Sequence, residues 1–390
     1  MPNYASFIQI DLDNVALNYM SIKDYVNPSE VIPVLKGNAY GHGAIPLARI
    51  LVEIGCKRIA VARICEAQEL IEAGLDPNVI EIIVMSPLSP EEIRIAVKIG
   101  VSLFIGDFQS FDCFKKAIST ISSSRLHIKV DTGLGRSGFL PSQAKEVKKL
   151  LSGLPDGVLS GIATHLSSPG EENGPNWLQK ERFDSFISEA KIPSKVLTHL
   201  ASSSAAAKFP ELCYKGVRVG DLTYGLCSVT NPSLKLRPVL SFFTKVVGLK
   251  NIPSGWSIGY GGKYKTTKSL RVATVPIGIT DGLTSAHAGK TFMLVKGKRC
   301  AILAIFADVS IIDIDHLDNV EMYDQVVFIG SQYGETITAL EQARSAGIGF
   351  SELLSKISLR IPRIYTMKGK TVGEISLLET QGIADRTRKW

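Results

Sequence analysis

No run of about 20 consecutive apolar residues occurs in the sequence, so no segment reads as a membrane-spanning helix. The opening stretch MPNYASFIQIDLDN has no basic region followed by a long apolar core, and no secretory signal is expected. Cysteine is scarce, six in 390 residues. Cys56, Cys65, Cys113, Cys213, Cys227 and Cys300 are scattered, with no C-x-x-C and no zinc-ligand spacing, so no metal site is expected. A chain this long needs no disulfide staples, which makes free thiols in a reducing compartment, the cytoplasm, the expected state. Charge of one sign is never concentrated. The sum of 44 basic and 37 acidic residues is +7, without a run of five or six like charges. The short basic tail Arg386, Arg388, Lys389 reads as solvated, so no nucleic-acid partner is expected, while small anions suit the modest excess. With 45% hydrophobic and 21% charged residues, disorder and a collagen-like architecture are excluded.

What is present is a repeating pattern. Short apolar, β-branched runs recur at 31–36 (VIPVLK), 58–63 (RIAVAR), 79–85 (VIEIIVM), 102–106 (SLFIG), 126–131 (LHIKVD), 159–165 (LSGIATH), 195–200 (KVLTHL) and 216–220 (GVRVG). Each is nearly continuous in hydrophobicity, as expected of parallel strands buried on both faces. Segments of helical periodicity lie between them, such as PLARILVEI (46–54) and EEIRIAVKI (91–99). Eight such units predict a closed (β/α)8 barrel of the TIM type; an open doubly wound sheet is the alternative, and the count of eight weighs against it. After CSVTNPSLKLRP (227–238) the runs VLSFFTKVVGL, LRVATVPIG, TFMLVK, AILAIF and VSIIDI are strand-like and separated by turn residues, with helical periodicity only around 338–347. The expected organisation is a barrel over 1–230 and a mainly antiparallel β domain over 231–390. The first ten or so residues are candidates for pairing with that β domain.

In such a barrel, chemistry sits at the C-terminal ends of the strands. Those ends carry Lys36, the Lys129–Asp131 pair, His165, His199 and Arg218, from five different strands. Any one of them alone would read as a loop anchor; five converging on one mouth read as a site. A lysine ending an apolar strand is partly desolvated, so its pKa falls and it can serve as a base or a Schiff-base nucleophile. Ser202, Ser203 and Ser204 follow the seventh strand and Gly220 the eighth, where barrels often hold phosphate, although serines at a helix start also serve as caps. A lysine beside a phosphate site points to pyridoxal phosphate.

These residues carry a family resemblance. VLKGNAYGHG (34–43) resembles the pyridoxal-lysine signature of alanine racemases, and KVDTGLGRSGF (129–139), GIATHL (161–166), HLASSSAAA (199–207), GVRVG (216–220), SIGYGGKY (257–264), VPIGITDG (275–282) and RIPRIY (360–365) follow in the family's order. The resemblance spans nearly the whole chain and implies a barrel plus C-terminal β domain. It also implies a homodimer in which each site borrows residues from the partner. It further implies interconversion of L- and D-alanine by two-base proton transfer on a pyridoxal 5′-phosphate aldimine. By motif, Lys36 would form the internal aldimine and act as base on one face of the α-carbon, while Tyr260, from the other subunit, would act on the opposite face. His165 resembles the residue supporting this tyrosine, Arg218 the arginine facing the pyridine nitrogen, and His199 the histidine that orients it. Tyr40 and Ser203 match phosphate ligands, with Gly220 contributing its backbone. Arg136 and the backbone of Ala307 match the groups that meet the substrate carboxylate. Lys129 matches a lysine that is often carbamylated, where its new negative charge would position Arg136; Asp131 reads as a loop organiser.

The departures from the family pattern cluster at the substrate entrance. A Met-Asp pair is Ala307-Asp308 here, and a Tyr-Glu pair is Phe350-Ser351. The acidic residue expected after THL is replaced by SSPGEE (167–172), the entrance arginines are missing from DGLTSAH (281–287), Ser202 replaces asparagine and Asp221 an apolar residue. Three activities fit this pattern: an alanine racemase with a divergent entrance, a racemase for another or larger amino acid such as serine or a basic one, and a pyridoxal-phosphate-binding protein without turnover. Intact Tyr260 speaks against the last. A barrel decarboxylase of the same cofactor class lacks the SIGYG and GVRVG motifs in this arrangement.

Overall fold

All eight of the apolar runs become strands. In the computed structural model, which describes residues 4–118, 124–229 and 231–376, they follow β1 (Phe7–Asp11) along the chain. They are β2 (Glu30–Pro33), β3 (Arg58–Val61), β4 (Glu81–Val84), β5 (Ser102–Ile105), β6 (Leu126–Lys129), β7 (Leu159–Ala163), β8 (Leu197–Ser202) and β9 (Gly216–Val219). The basic tail, Arg386 to Lys389, lies outside the described residues. The eight pair in parallel in the order β2-β9-β8-β7-β6-β5-β4-β3. The seam between β2 and β3 is closed by a single parallel bridge, Val34 to Ala60, with Leu35 N–H donating to the Ala60 carbonyl at 2.8 Å. Strands β4, β5, β6 and β9 are buried at every position, which is why their sequences do not alternate.

The intervening helices carry their own start and stop signals. Helix Pro90–Ile99 begins with Ser89, whose hydroxyl accepts from Glu92 N–H while Glu92 reaches back, and it ends at Gly100 in the left-handed conformation. Tyr224 donates to the Val34 carbonyl at 2.6 Å, pinning the segment that leads from β2 to Lys36. The barrel unit comprises Asn14–Ala39 and Ala44–Arg237.

Among the described residues, the second unit comprises 4–13, 40–43 and 238–376. Its strands are β10 (Leu240–Lys245), β11 (Gly248–Ile252), β12 (Ser257–Ile258), β13 (Tyr264–Lys265), β14 (Leu270–Val275), β15 (Phe292–Val295), β16 (Lys298–Ile305), β17 (Ser310–Asp313), β18 (Gln325–Gln332), β19 (Glu335–Ile337), β20 (Arg363–Met367) and β21 (Lys370–Ile375). The main sheet runs β11-β14-β17-β16-β15-β18-β10-β1-β20-β21, with β19 hung on β18. Its pairings are antiparallel except β1 with β20. The barrel and the mainly antiparallel β domain read from the sequence are thus what the chain forms. Helix Ala339–Ala346 occupies the periodic segment, and a second helix, Phe350–Ser355, is too short for its six residues to display a period. Among the described residues, no helix is long and apolar enough to cross a membrane.

Candidate active site

Lys36 stands just beyond β2, and the chain behind it takes an unusual path. Gly37, Asn38, Ala39 and Tyr40 all have positive φ, at 62°, 53°, 54° and 51°. A left-handed turn costs L-residues about 1–2 kcal/mol each, so something must hold it. Glu66 does much of this: its carboxylate accepts from Gly37 N–H at 2.6 Å, and from Ala62 and Arg63 N–H at 2.8 and 3.0 Å. Ala39 N–H donates to Leu35 at 2.7 Å, and the Asn38 side chain accepts from Ala44 N–H at 2.8 Å. Within the second unit, Arg363 Nε donates to the Gly41 carbonyl at 3.2 Å. A Cβ on Gly43, whose φ is 100°, would lie 2.0 Å from the Tyr365 hydroxyl oxygen. The Lys36 amine is half-buried; burial, then the charge of Arg136, lowers its pKa.

Arg218 is the hub of the barrel mouth. Its Nη1 donates to His199 Nδ1 at 2.9 Å and to the His199 carbonyl at 2.7 Å. Its Nη2 donates to the carbonyls of Thr164 (2.7 Å) and Leu200 (3.2 Å) and to His165 Nδ1 (3.3 Å). Nε makes no hydrogen bond among the described residues. Because a guanidinium can only donate, both His199 and His165 present bare Nδ1 atoms to it and carry their protons on Nε2. Burial, then the Arg218 charge, pushes His165 down to about 3 and His199 well below the usual histidine range. Both are neutral at physiological pH.

Lys129 and Arg136 complete the cationic set. Lys129 is buried, donates to the Val130 carbonyl at 2.8 Å, and is pushed down to about 7 by burial and then the charge of Arg218. It lines a cleft of about 240 Å³ with Asp107 and Ser110. Asp131 acts as the loop organiser expected of it. Its carboxylate accepts from the N–H groups of Gly133, Leu134, Gly135 and Arg136 at 2.8 to 3.1 Å, which places Arg136 at the mouth. Burial opposes ionisation of Asp131, but these backbone hydrogen bonds outweigh it and keep the carboxyl below its usual range. Among the described residues, Lys129, Arg136 and Arg218 form no ion pair.

Ser203 is buried, and its hydroxyl accepts from Gly220 N–H at 3.0 Å. Ser202, not Ser203, occupies the cap position of the short helix Ser203–Lys208 and makes no side-chain cap bond, so Ser203 is not serving as a cap. In the second unit, Tyr260 sits between Gly259 and Gly261, both at positive φ, and is 77% exposed, its ring edge-on to Phe306 at 5.2 Å. A Cβ on Gly259 would strike Ala304 at 2.9 Å. Ala307 is exposed, and its carbonyl accepts from both Thr280 N–H and Thr280 Oγ1 at 2.8 Å. Phe350 is half-buried at the start of its helix.

The structure therefore gathers Lys36, Lys129, Arg136, His165, His199 and Arg218 in one unit, with Ser203 and Gly220 joined beside them. Sequence reasoning missed Glu66, Glu81 and His127. The last two interrupt otherwise apolar strands, in VIEIIVM and LHIKVD, and that interruption was their visible signal.

The barrel matches the family model "Alanine racemase, N-terminal domain" over residues 10–228, and the β unit matches "Alanine racemase, C-terminal domain" over 239–365. The chain is 34% identical over 373 residues to alanine racemase 1 of Clostridium acetobutylicum, covering 93% of this chain and 96% of that one. It is 34% identical to the alanine racemase of Clostridium tetani, with 94% and 96% covered. A crystal structure of alanine racemase from Bacillus anthracis with bound L-Ala-P superposes with a TM-score of 0.86 at 33% identity, covering 97% of this chain and 100% of that one. The alanine racemase of Clostridium difficile gives a TM-score of 0.87 at 26% identity over the same shares. With both halves matched in order and relatives covered almost end to end, this chain belongs to the alanine racemase family.

Proposed function

We propose that the protein interconverts L- and D-alanine with pyridoxal 5′-phosphate as cofactor and works as a homodimer. The observation that carries this reading is the cationic mouth of the barrel. Burial, then the charge of Arg136, lowers the proton affinity of Lys36 and of Arg218; burial, then the charge of Arg218, lowers that of Lys129; and no carboxylate pairs with Lys129, Arg136 or Arg218 among the described residues. Cations held together in a poorly solvated place are stabilised by an anion opposite them, and a phosphate and a carboxylate are such anions. The donor set fits the cofactor: an Arg218 Nε without a partner among the described residues, a buried Ser203 hydroxyl meeting the Gly220 amide, and a lysine with a lowered pKa. Six free thiols support a reducing compartment such as the cytoplasm.

When bound, pyridoxal phosphate supplies an electrophilic aldehyde and an electron-withdrawing ring that make the α-proton of an amino acid acidic. Everything else falls to the chain. Lys36, part-desolvated and facing Arg136, has more neutral amine at pH 7 than a lysine in water, so it can bond a carbonyl and afterwards take a proton on one face. Tyr260 of the partner subunit returns a proton on the opposite face. A phenol is a poor base at neutral pH unless its phenolate is stabilised, and the Nε2–H that His165 must carry could supply that hydrogen bond. Arg218 donates and never accepts, so a ring nitrogen placed against it would stay unprotonated, which would restrain over-stabilisation of charge and favour racemisation over transamination. Arg136 and the Ala307 backbone would hold the substrate carboxylate, and Tyr40, Ser203 and Gly220 the phosphate. The Lys129 amine, pushed down to about 7, is partly neutral at that pH, the form that takes up carbon dioxide; as a carbamate it would face Arg136 as an anion.

The test is racemisation measured over a panel of L-amino acids with α-proton exchange in deuterated water. A strong preference for alanine is expected. The small exposed Ala307 favours a second reading, a roomier pocket, and a better rate with serine or a basic amino acid would establish it. Absence of exchange from every substrate would overturn both.

A further inference from the structure

The barrel interior contains an unbroken line of hydrogen bonds from the mouth to the N-terminal end of β4. Arg218 Nη1 meets His199 Nδ1 at 2.9 Å, His199 Nε2 meets His127 Nδ1 at 3.0 Å, and His127 Nε2 meets Glu81 Oε1 at 3.1 Å. Both histidines are wholly buried and Glu81 is nearly so. The position of every proton follows from the two ends. A guanidinium only donates, so His199 Nδ1 is bare and its proton is on Nε2. That N–H points at His127 Nδ1, which must accept it. His127 therefore carries its own proton on Nε2 and donates to the carboxylate.

Independent features hold this arrangement. Glu81 also accepts from Arg58 Nε at 2.5 Å and Ser102 Oγ at 2.6 Å. Burial favours its protonated form, but hydrogen bonds from His127 and Ser102 and the charge of Arg58 outweigh this and keep it ionised. Phe104 stacks on the His127 ring at 5.8 Å and stands edge-on to His199 at 5.7 Å, while the two imidazoles are perpendicular at 89°. On the neighbouring strand, a Cβ at Gly161 would lie 2.0 Å from His127 Nδ1. Gly161 has no left-handed φ to justify glycine, so the ring beside it is what requires the space.

We propose that His127 and Glu81 are positioning residues for Arg218. Through the tautomer they impose on His199, they fix the direction in which the guanidinium faces the mouth, and they link a buried cation that has no ion-pair partner among the described residues to a carboxylate across the barrel. The catalytic consequence rests on the reading of Arg218 as the group beside the cofactor ring; the tautomers do not.

The experiment is long-range ¹H–¹⁵N correlation spectroscopy of the histidine-labelled holoenzyme, paired with kinetics of two variants. In the wild type at neutral pH, His127 and His199 should each carry a single ring proton, on Nε2. An Nδ1–H tautomer or an imidazolium at either residue overturns the proposal, and this measurement needs no variant. Glu81→Leu removes the terminal acceptor and should release the His127 tautomer and lower kcat for alanine on the order of tenfold, with KM little changed. Glu81→Gln keeps an acceptor oxygen and should keep the tautomers and most of the rate. Wild-type kcat in folded Glu81→Leu, or a Glu81→Gln rate as low as that of Glu81→Leu with tautomers intact, would also overturn it. Failure of the wild type to bind pyridoxal phosphate would instead overturn the functional reading, leaving the tautomers to be read in the apoprotein.

Discussion

A lysine buried among cations gives up its proton earlier than one in water, and the stability of the fold records the difference. Lys129 is held at about 7 by burial and Arg218. An unfolded lysine titrates near about 10.4. Between those values the folded chain binds fewer protons than the unfolded one, so stability rises as the pH rises through that window and is lost as the pH falls towards about 7. After dialysis free of carbon dioxide, the Tm of the wild type relative to Lys129→Met should climb across this range; a difference independent of pH would contradict the burial argument. Lys36→Ala should abolish the absorption band of the lysine-bound cofactor, and a surviving band would reassign the lysine. Tyr260→Phe should block proton abstraction mainly from one enantiomer. Equal loss of exchange from L- and D-alanine, with binding intact, would count against two bases. Lys36, His165 and Arg218 were legible in the sequence because each places a polar group at the end of an apolar strand. Glu66 was not. In ICEAQEL it looks like an ordinary first-turn acid, and only the fold shows that it reaches back to Gly37 N–H.

The elements differ in how much of themselves they write into the sequence. Barrel strands announced themselves because burial on both faces leaves a continuous apolar run, and helix Pro90–Ile99 because Ser89, Glu92 and Gly100 supply its caps. The left-handed turn over 37–40 has no period at all. Its hint is a Gly-Asn pair, two residue types that enter that region at low cost, but nothing local says that Ala39 and Tyr40 must follow. Tertiary hydrogen bonds decide it, with the Glu66 carboxylate foremost. A hydrogen bond to a charged group contributes about 1.5–3 kcal/mol, so Glu66→Ala should loosen the turn and weaken pyridoxal phosphate binding by about tenfold or more. Titration of the apoprotein with the cofactor checks this. Affinity within twofold of the wild type would show that the turn is held without Glu66.

At the scale of the whole molecule, the question is where Tyr260 acts. It is largely exposed on its own chain and flanked by glycines that leave it projecting, which suits a residue offered to a second copy. If each site takes Lys36 from one subunit and Tyr260 from the other, two dead variants can rescue each other. In a hybrid dimer of Lys36→Ala and Tyr260→Phe, one site inherits both substitutions and the other inherits neither. Random pairing makes half the dimers hybrids, each with one sound site of two, so co-expressed chains should recover about a quarter of wild-type racemisation. Separately purified and unmixed, the two variants should stay inactive. The arithmetic discriminates because sites built within a single chain would each keep one lesion in every pairing, and no mixture would then regain activity. Recovery that grows with the hybrid fraction supports the shared-site dimer; none at any ratio would put Lys36 and Tyr260 on the same chain.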